Sequence, residues 1–244
     1  PTILLNWQKA QANIVRMADR AQRHHLHFRP HFKTHMSQAV GRHFRSLGVD
    51  AITVSSLTMA EYFAADGWSD ITVAFPVNVR EIETIHRLAE KINLNLLAVN
   101  PEPLAFLRKN LRCPVGIFIK IDAGAGRTGL LPEDEAGIEA ALAEIEASPM
   151  LEFKGFLTHA GHSYRARSKA EILAVHEKTT ALLRQLKEKY RSRYPDLLVS
   201  PGDTPCCSVA EDWAGMDEIR PGNFVFYDVM QVRIGACEMS DIAV

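Results

Sequence analysis

Short apolar runs separated by amphipathic segments repeat along almost the whole chain, and this rhythm is what most constrains the fold. The runs fall at 29–33, 51–54, 71–74, 94–99, 115–121, 153–157, 197–199 and 218–220. Their length and their content of Val, Ile, Leu and Phe read as strands, and the segments between them carry helical spacing. A helix between two strands returns the chain to the same edge, so consecutive strands pair in parallel. Eight such units over residues 7–223 are the arithmetic of a (β/α)8 TIM-type barrel, although a doubly wound open sheet shares much of the pattern. Asn6 is placed to cap a first helix reaching about His25, Pro132 to open an acidic helix ending near Ser148, and Ser168–Arg191 to form the longest helix. Three apolar pieces are surplus to the barrel: Ile3–Leu5, Phe224–Tyr227 and Gln231–Ile234. They are expected to be strands of an incomplete β domain made from residues 1–6 and 224–244.

Composition narrows the function class. With 244 residues, 47% of them hydrophobic, the chain can bury one large α/β core, and a formal net charge of −1 gives no bias toward nucleic acid or an anionic membrane. No apolar run approaches the ~18 residues of a membrane span. Pro1–Leu5 shows no signal-peptide pattern, and Cys113, Cys206, Cys207 and Cys237 show no CxxC spacing. A reducing, cytoplasmic setting is expected.

One strand carries a second pattern. In Arg29-Pro30-His31-Phe32-Lys33, cationic and apolar residues alternate, so Arg29, His31 and Lys33 share a face. Three cations are poor filling for a dry core, and in a helix-covered sheet that face must line a site. Neighbours on one face lie about 7 Å apart, where a unit charge at an effective dielectric near 20 costs roughly 2.4 kcal/mol. Arg29 keeps its proton, so Lys33 is the group expected to give way. A lysine of lowered pKa is a nucleophile toward carbonyls. The plain alternative is a lysine reaching water at a strand end.

The remaining polar residues gather after the C-terminal ends of strands, the face where barrels keep their chemistry. Asp122–Arg127 follows the fifth strand and His159–Tyr164 the sixth. Gly202–Pro205 with Ser208 follows the seventh, and Arg220–Asn223 the eighth. Glycines and small hydroxyls in the last two loops suit a phosphate. A reactive lysine opposite a phosphate cradle points to pyridoxal 5'-phosphate. Gly124-Ala-Gly126-Arg-Thr-Gly129 also matches a dinucleotide fingerprint. Its helix waits until Pro132, however, and no acidic residue closes the next strand, so that reading is set aside.

Together, Arg29-Pro-His-Phe-Lys33-Thr-His35, Ile121-Asp-Ala-Gly-Ala-Gly-Arg127-Thr-Gly129, His159-Ala-Gly-His-Ser-Tyr164, Gly202-Asp-Thr-Pro205 and Arg220-Pro-Gly-Asn-Phe-Val-Phe-Tyr-Asp228 resemble the D-threonine aldolase and D-serine dehydratase group. These are relatives of alanine racemase with an N-terminal pyridoxal-phosphate barrel. The resemblance covers nearly the whole chain. It implies a lyase acting on D-3-hydroxy amino acids, with Lys33 as the Schiff-base anchor and later the group that moves a proton at the α-carbon. It further implies Arg127 near the cofactor's phenolic oxygen, Tyr164 near its ring nitrogen, and Gly202, Thr204, Gly222 and Asn223 at the phosphate. His159 is a substrate- or cofactor-contacting candidate, as is His162. The group also implies a homodimer and a divalent metal, zinc or manganese, held by a C-terminal His with a Cys or Asp. No histidine follows Asp228, so the chain reads as a fragment with the metal ligands expected in further sequence, the alternative being a barrel that works without metal. An amino-acid racemase and a non-catalytic pyridoxal-phosphate carrier are the alternatives.

The other candidates have plainer readings. The histidines at 24, 25, 27, 31 and 35 suggest a metal cluster only by their number, and those before the first strand suit a solvated helix end. Cys206 and Cys207 suit packing beside the phosphate loop better than nucleophilic work. The basic segment 178–193 suits a solvated helix face.

Overall fold

The computed structural model describes residues 4–244. Strands β1 (His27–Phe28), β2 (Ile52–Val54), β3 (Asp70–Pro76), β4 (Asn93–Ala98), β5 (Val115–Lys120), β6 (Leu151–Leu157), β7 (Leu198–Ser200) and β8 (Glu218–Ile219) run through the chain. Between and around them lie α1 (Trp7–Arg23), α2 (Gln38–Ser46), α3 (Leu57–Ala64), α4 (Ile82–Ala89), α5 (Glu102–Asn110), α6 (Glu135–Glu146), α7 (Lys169–Tyr190), α8 (Thr204–Val209) and α9 (Val229–Arg233). All pairings are parallel: β2 to β7 form one six-stranded sheet in sequence order, and β1 pairs with β8.

Backbone hydrogen bonds join the two sheets on both sides. Thr53 N donates to Pro30 O and Phe32 N to Thr53 O, each at 2.9 Å, while Asp217 N donates to Val199 O and Arg220 N to Pro201 O, each at 3.2 Å. The curled sheet therefore meets its own ends, and every strand C-terminus opens on one face. Alternation along the strands separates two apolar layers. Leu96, Ile117, Ile119 and Phe156 pack outward into the helix-covered core, whereas Leu97, Phe118 and Leu157 form a separate cluster on the other face. Side-chain caps set the helix starts: Asn6 accepts from Lys9 N, Ser168 from Glu171 N and Asp203 from Cys206 N.

The structure corrects the sequence reading in four places. First, β1 ends at Phe28, not Lys33. Pro30 has no N–H to donate, only His31 bridges to Thr53, and the chain then turns. Second, α6 begins at Glu135 because Asp134, not Pro132, supplies the cap, accepting from Gly137 N at 3.0 Å. Third, the strands expected at 224–227 and 231–234 are a 3-10 turn over Asn223–Val225 and helix α9. Tyr227, at φ 51°, breaks the extended path, and Asp228 accepts from Gln231 N at 2.9 Å to start the helix. Leu4 and Leu5 lie outside any strand, and Ile3 falls outside the described residues. Fourth, the Thr204–Val209 helix carrying Cys206 and Cys207 has no counterpart in the sequence reading. The two ends of the chain do meet, Asn6 N donating to Ala243 O at 2.7 Å. Among the described residues no helix is long and apolar enough to cross a membrane.

Candidate active site

Lys33 reaches the open face because its neighbour is locked behind it. Phe32 is fully buried and packs edge-on against Phe63 and Trp68, with ring centroids 5.0 and 5.2 Å away. The turn that follows closes with Met36 N on Phe32 O at 3.0 Å, and Met36 sits at φ 45°. Lys33 thus lines a cavity at the strand C-termini, together with His31, Lys120, Arg127, His159 and Tyr164. Gly202, Asp203, Arg220, Gly222 and Asn223 complete the lining.

The cavity is rich in cations and poor in acids. Lys33, Lys120, Arg127 and Arg220 make no ion pair among the described residues, and Asp203 is the sole carboxylate in the lining. Burial, then the charges of Arg127 and Arg220, hold the Lys33 amine below its ordinary range. The sequence argument named the wrong partner for this effect. Arg29 is neutralised instead by acids at the starts of β8 and β3, its Nε 2.6 Å from Glu218 and its Nη1 2.5 Å from Asp70. His31 is pushed well below the usual imidazole range by burial and by Lys33 and Arg220, so it stays neutral; its Nδ1 accepts from Lys33 N at 3.3 Å.

Lys120, which the sequence reading passed over, is 5% exposed at the end of β5, its amine bonded to the Thr128 hydroxyl. Burial and Arg127 bring it down to about 8. A signal for it existed: Gly116, Phe118 and Lys120 share one face of β5, the same alternation that exposed Lys33.

The Gly124–Gly129 loop is shaped for something other than a pyrophosphate. Asp122 Oδ1 accepts from the amides of Gly124, Ala125 and Gly126 at 3.0, 2.8 and 3.1 Å, so a carboxylate, itself an anion, already occupies the place a phosphate would take. These bonds keep Asp122 ionised below the usual carboxylate range against its burial. Gly129, at φ 120°, brings the loop back onto the end of β5, where a Cβ would lie 2.9 Å from Lys120 O. Arg127 projects from this loop into the cavity lining.

The wall made by the loops after β6 and β7 holds His159 and Tyr164, with ring centroids 6.0 Å apart. His159 Nδ1 bonds the Gly202 carbonyl, which only accepts, so Nδ1 carries the proton and Nε2 is left as an acceptor. Burial lowers the His159 imidazole to about 4. Tyr164 accepts from Thr204 N at 3.1 Å, which leaves its own proton to donate, and burial raises the phenol above its ordinary value. Asp203 ties this wall together, accepting from Ser163 Oγ and Cys206 N, both at 2.8 Å. Gly222 N donates to Thr204 Oγ1 at 3.4 Å, and Asn223 Nδ2 to Asp228 at 2.8 Å. Both glycines are required by contact. A Cβ at Gly202 would lie 2.8 Å from the Arg220 Cβ, and one at Gly222 3.0 Å from His31 O.

The remaining candidates are apart from this chemistry. His24 bonds Glu211, His27 bridges Asp50 and Glu218, and His35 stacks on Phe44. Among the described residues no three His, Cys, Asp or Glu side chains gather as metal ligands. Cys206 and Cys207 are buried and their thiols are pushed upward by burial, which leaves them protonated packing groups. His162 has a buried, unpartnered Nδ1 and does not line the cavity.

Residues 5–229 match the model of the alanine racemase N-terminal domain. D-threo-3-hydroxyaspartate dehydratase from Delftia sp. (strain HT23) is 30% identical over 249 residues, covering 100% of this chain and 65% of the relative. D-serine dehydratase from Dictyostelium discoideum is 29% identical, covering 100% of this chain and 67% of the relative. A solved structure of a D-threo-3-hydroxyaspartate dehydratase mutant in the metal-free form matches with a TM-score of 0.92 at 29% identity. That match covers 98% of this chain and 64% of the other. The chain thus spans about two thirds of the length of the relatives it matches.

Proposed function

The chain belongs to the alanine racemase N-terminal domain family, and from that premise we propose that it is the cofactor-binding barrel of a pyridoxal-phosphate-dependent lyase acting on D-3-hydroxy amino acids. One observation carries the reading: the Lys33 amine, held low and without a carboxylate partner, shares a cavity with the glycine-lined wall of Gly202 and Gly222. The residues suit the cofactor. A pyridoxal phosphate brings several negative charges, and the lining offers four cations against one acid. Gly202, Thr204, Gly222 and Asn223 would hold the phosphate, Arg127 the phenolic oxygen, and Lys33 the aldehyde carbon.

When bound, the group supplies an electron-withdrawing ring that stabilises negative charge at the substrate α-carbon. The protein does the rest. Lys33 would be the base that moves a proton at the α-carbon, and its lowered pKa leaves it more readily unprotonated than an ordinary lysine. Tyr164, with its oxygen held by Thr204 N, has a proton to offer the ring nitrogen as a hydrogen bond. A phenol raised by burial keeps that proton, so Tyr164 would hydrogen-bond the ring nitrogen without protonating it. His159, neutral with Nε2 as acceptor, is suited to receive a hydrogen bond from the substrate. The reading carries with it an amino-acid substrate, a homodimer and a cytoplasmic setting. It also carries a divalent metal, zinc or manganese, for which the described residues gather no set of three His, Cys, Asp or Glu ligands.

The experiment is a visible spectrum with added pyridoxal phosphate, followed by borohydride reduction and peptide mapping. The expected result is a phosphopyridoxyl group on Lys33 alone. An adduct elsewhere, or none on folded protein, would overturn the reading. D-serine, D-threonine and 3-hydroxyaspartate, tested on the full-length protein with and without metal, then separate the branches. Loss of water or carbon marks a lyase, α-proton exchange alone a racemase, and binding without turnover a carrier.

A further inference from the structure

We propose that Glu218, outside the cavity, is a positioning residue that acts through the Ser200 hydroxyl to fix the Arg220 guanidinium in the cavity wall. Glu218 is fully buried at the start of β8. Its Oε2 accepts from Arg29 Nε at 2.6 Å and is 3.1 Å from His27 Nδ1, while its Oε1 accepts from Ser200 Oγ at 2.7 Å. On the other side, Arg220 Nε donates to the same Ser200 Oγ at 2.7 Å. Arg220 Nη2 donates to the carbonyls of Thr158 and Ser200 at 2.5 and 2.8 Å.

Ser200 has one proton to give, and its neighbours dictate its direction. An ionised carboxylate only accepts and a guanidinium only donates, so the hydroxyl must donate to Glu218 and turn its lone pairs to Arg220. Were Glu218 neutral, the hydroxyl could rotate and present its proton to a cation. The structure therefore reads the charge of Glu218 into the geometry of Arg220, one hydroxyl away. Glu218 is held ionised, down to about 2, by Arg29, His27 and Ser200, and so keeps this direction across the neutral range.

Arg220 is worth fixing. It is 4% exposed and has no carboxylate at ion-pair distance among the described residues, so its Nε is held by this link and its Nη2 by two backbone carbonyls. Gly202 packs directly on its side chain, and its charge is one of those that lower Lys33 and His31. A guanidinium free to swing would alter both the phosphate wall and the lysine. The geometric link stands on the chain alone; its bearing on turnover rests on the function proposed above.

The test begins with protein free of cofactor, labelled with nitrogen-15 arginine, the Arg220 Nε–H signal being assigned by its loss in Arg220→Lys. Ser200→Ala cuts the link but leaves the Glu218–Arg29 pair intact, and should speed solvent exchange of this N–H by about tenfold or more, the value of one hydrogen bond to a charged group. Ser200→Thr keeps the hydroxyl and should restore protection, while Glu218→Gln, if folded, should behave as Ser200→Ala does. With pyridoxal phosphate added, the pH midpoint of the bound-cofactor absorbance should move by about half a unit in Ser200→Ala and return in Ser200→Thr. Unchanged Nε–H exchange in Ser200→Ala overturns the proposal. Absence of cofactor binding by the unaltered protein, with the N–H responding as expected, overturns the functional reading and leaves the link standing.

Discussion

Lys33 and Lys120 are two amines in one cavity, separated by their surroundings. Lys33 follows β1 on a turn, while Lys120 is the last residue of β5, buried and bonded only to a hydroxyl. A charged amine there costs free energy that a thioether would not. Lys120→Met is expected to stabilise the fold by about 1–2 kcal/mol at pH 7. The sign of the pH dependence follows from the depressed value of about 8. Between there and the ordinary lysine range the unfolded chain binds more protons than the folded one, so the native protein gains stability as pH rises. The advantage of Lys120→Met should therefore shrink across that window in thermal melts. Tyr164→Phe removes one acceptor from Thr204 N and is expected to cost about 1 kcal/mol of stability. On the function proposed above, it should change turnover far more, and wild-type turnover in the full-length variant would sink that role for Tyr164.

At the scale of elements, the loops after strands carry the site and the register of the strands carries the loops. Gly155 shows how tight that register is: at φ 136°, a Cβ there would lie 1.9 Å from Leu198 O on β7. Gly155→Ala is expected to cost more than about 3 kcal/mol, read as a lowered denaturation midpoint, since neither backbone can yield. Asp122→Ala would free three amides at once and loosen the loop that presents Arg127. Faster amide exchange at residues 124–126, with strand exchange unchanged, is the expected result. At this scale the sequence was a good guide to the middle of most elements from α2 to β8 and a poor one to their ends, to β1 and α8, and to the chain after Gly222. Pro132 looks like a helix start, and only the hydrogen bond from Gly137 shows that Asp134 is the cap. Phe224–Tyr227 has a strand's composition but is half a turn and half a link, because Phe224 and Val225 are buried and Asn13 of α1 donates to the Val225 carbonyl.

The whole molecule depends on closing one end of its sheet onto the other. β1 and β8, each two residues long, do this with a buried ion pair in place of a long ladder. Glu218→Gln leaves Arg29 short of a counter-charge and is expected to cost about 3–5 kcal/mol. In the native protein the folded value of about 2 lies below the ordinary carboxylate value. The pair's contribution is thus present in full above about pH 4.5 and lost as pH falls toward 2. Acid unfolding monitored by circular dichroism should be displaced upward in pH by the variant only if other carboxylates govern it. If Glu218 itself governs it, the acid transition should flatten.

What the sequence determined by itself was whatever depends on near neighbours along the chain. The strand–helix rhythm sets a parallel sheet, and the alternation around Phe32 sets Lys33 facing away from the core. Chain connectivity then places Arg127, His159, Tyr164, Gly202 and Gly222 at the same ends of their strands. What only the tertiary structure decided was which charges meet. Arg29 looked like the cation that perturbs Lys33, yet Glu218 and Asp70 claim it, and Arg127 and Arg220 take its place. The glycine fingerprint looked open until Asp122 was found in it. Hydrogen bonds and ion pairs act over a few ångströms between residues as far apart as Arg29 and Glu218. Such partners are set by the closure of the sheet, and local pattern carries no record of them.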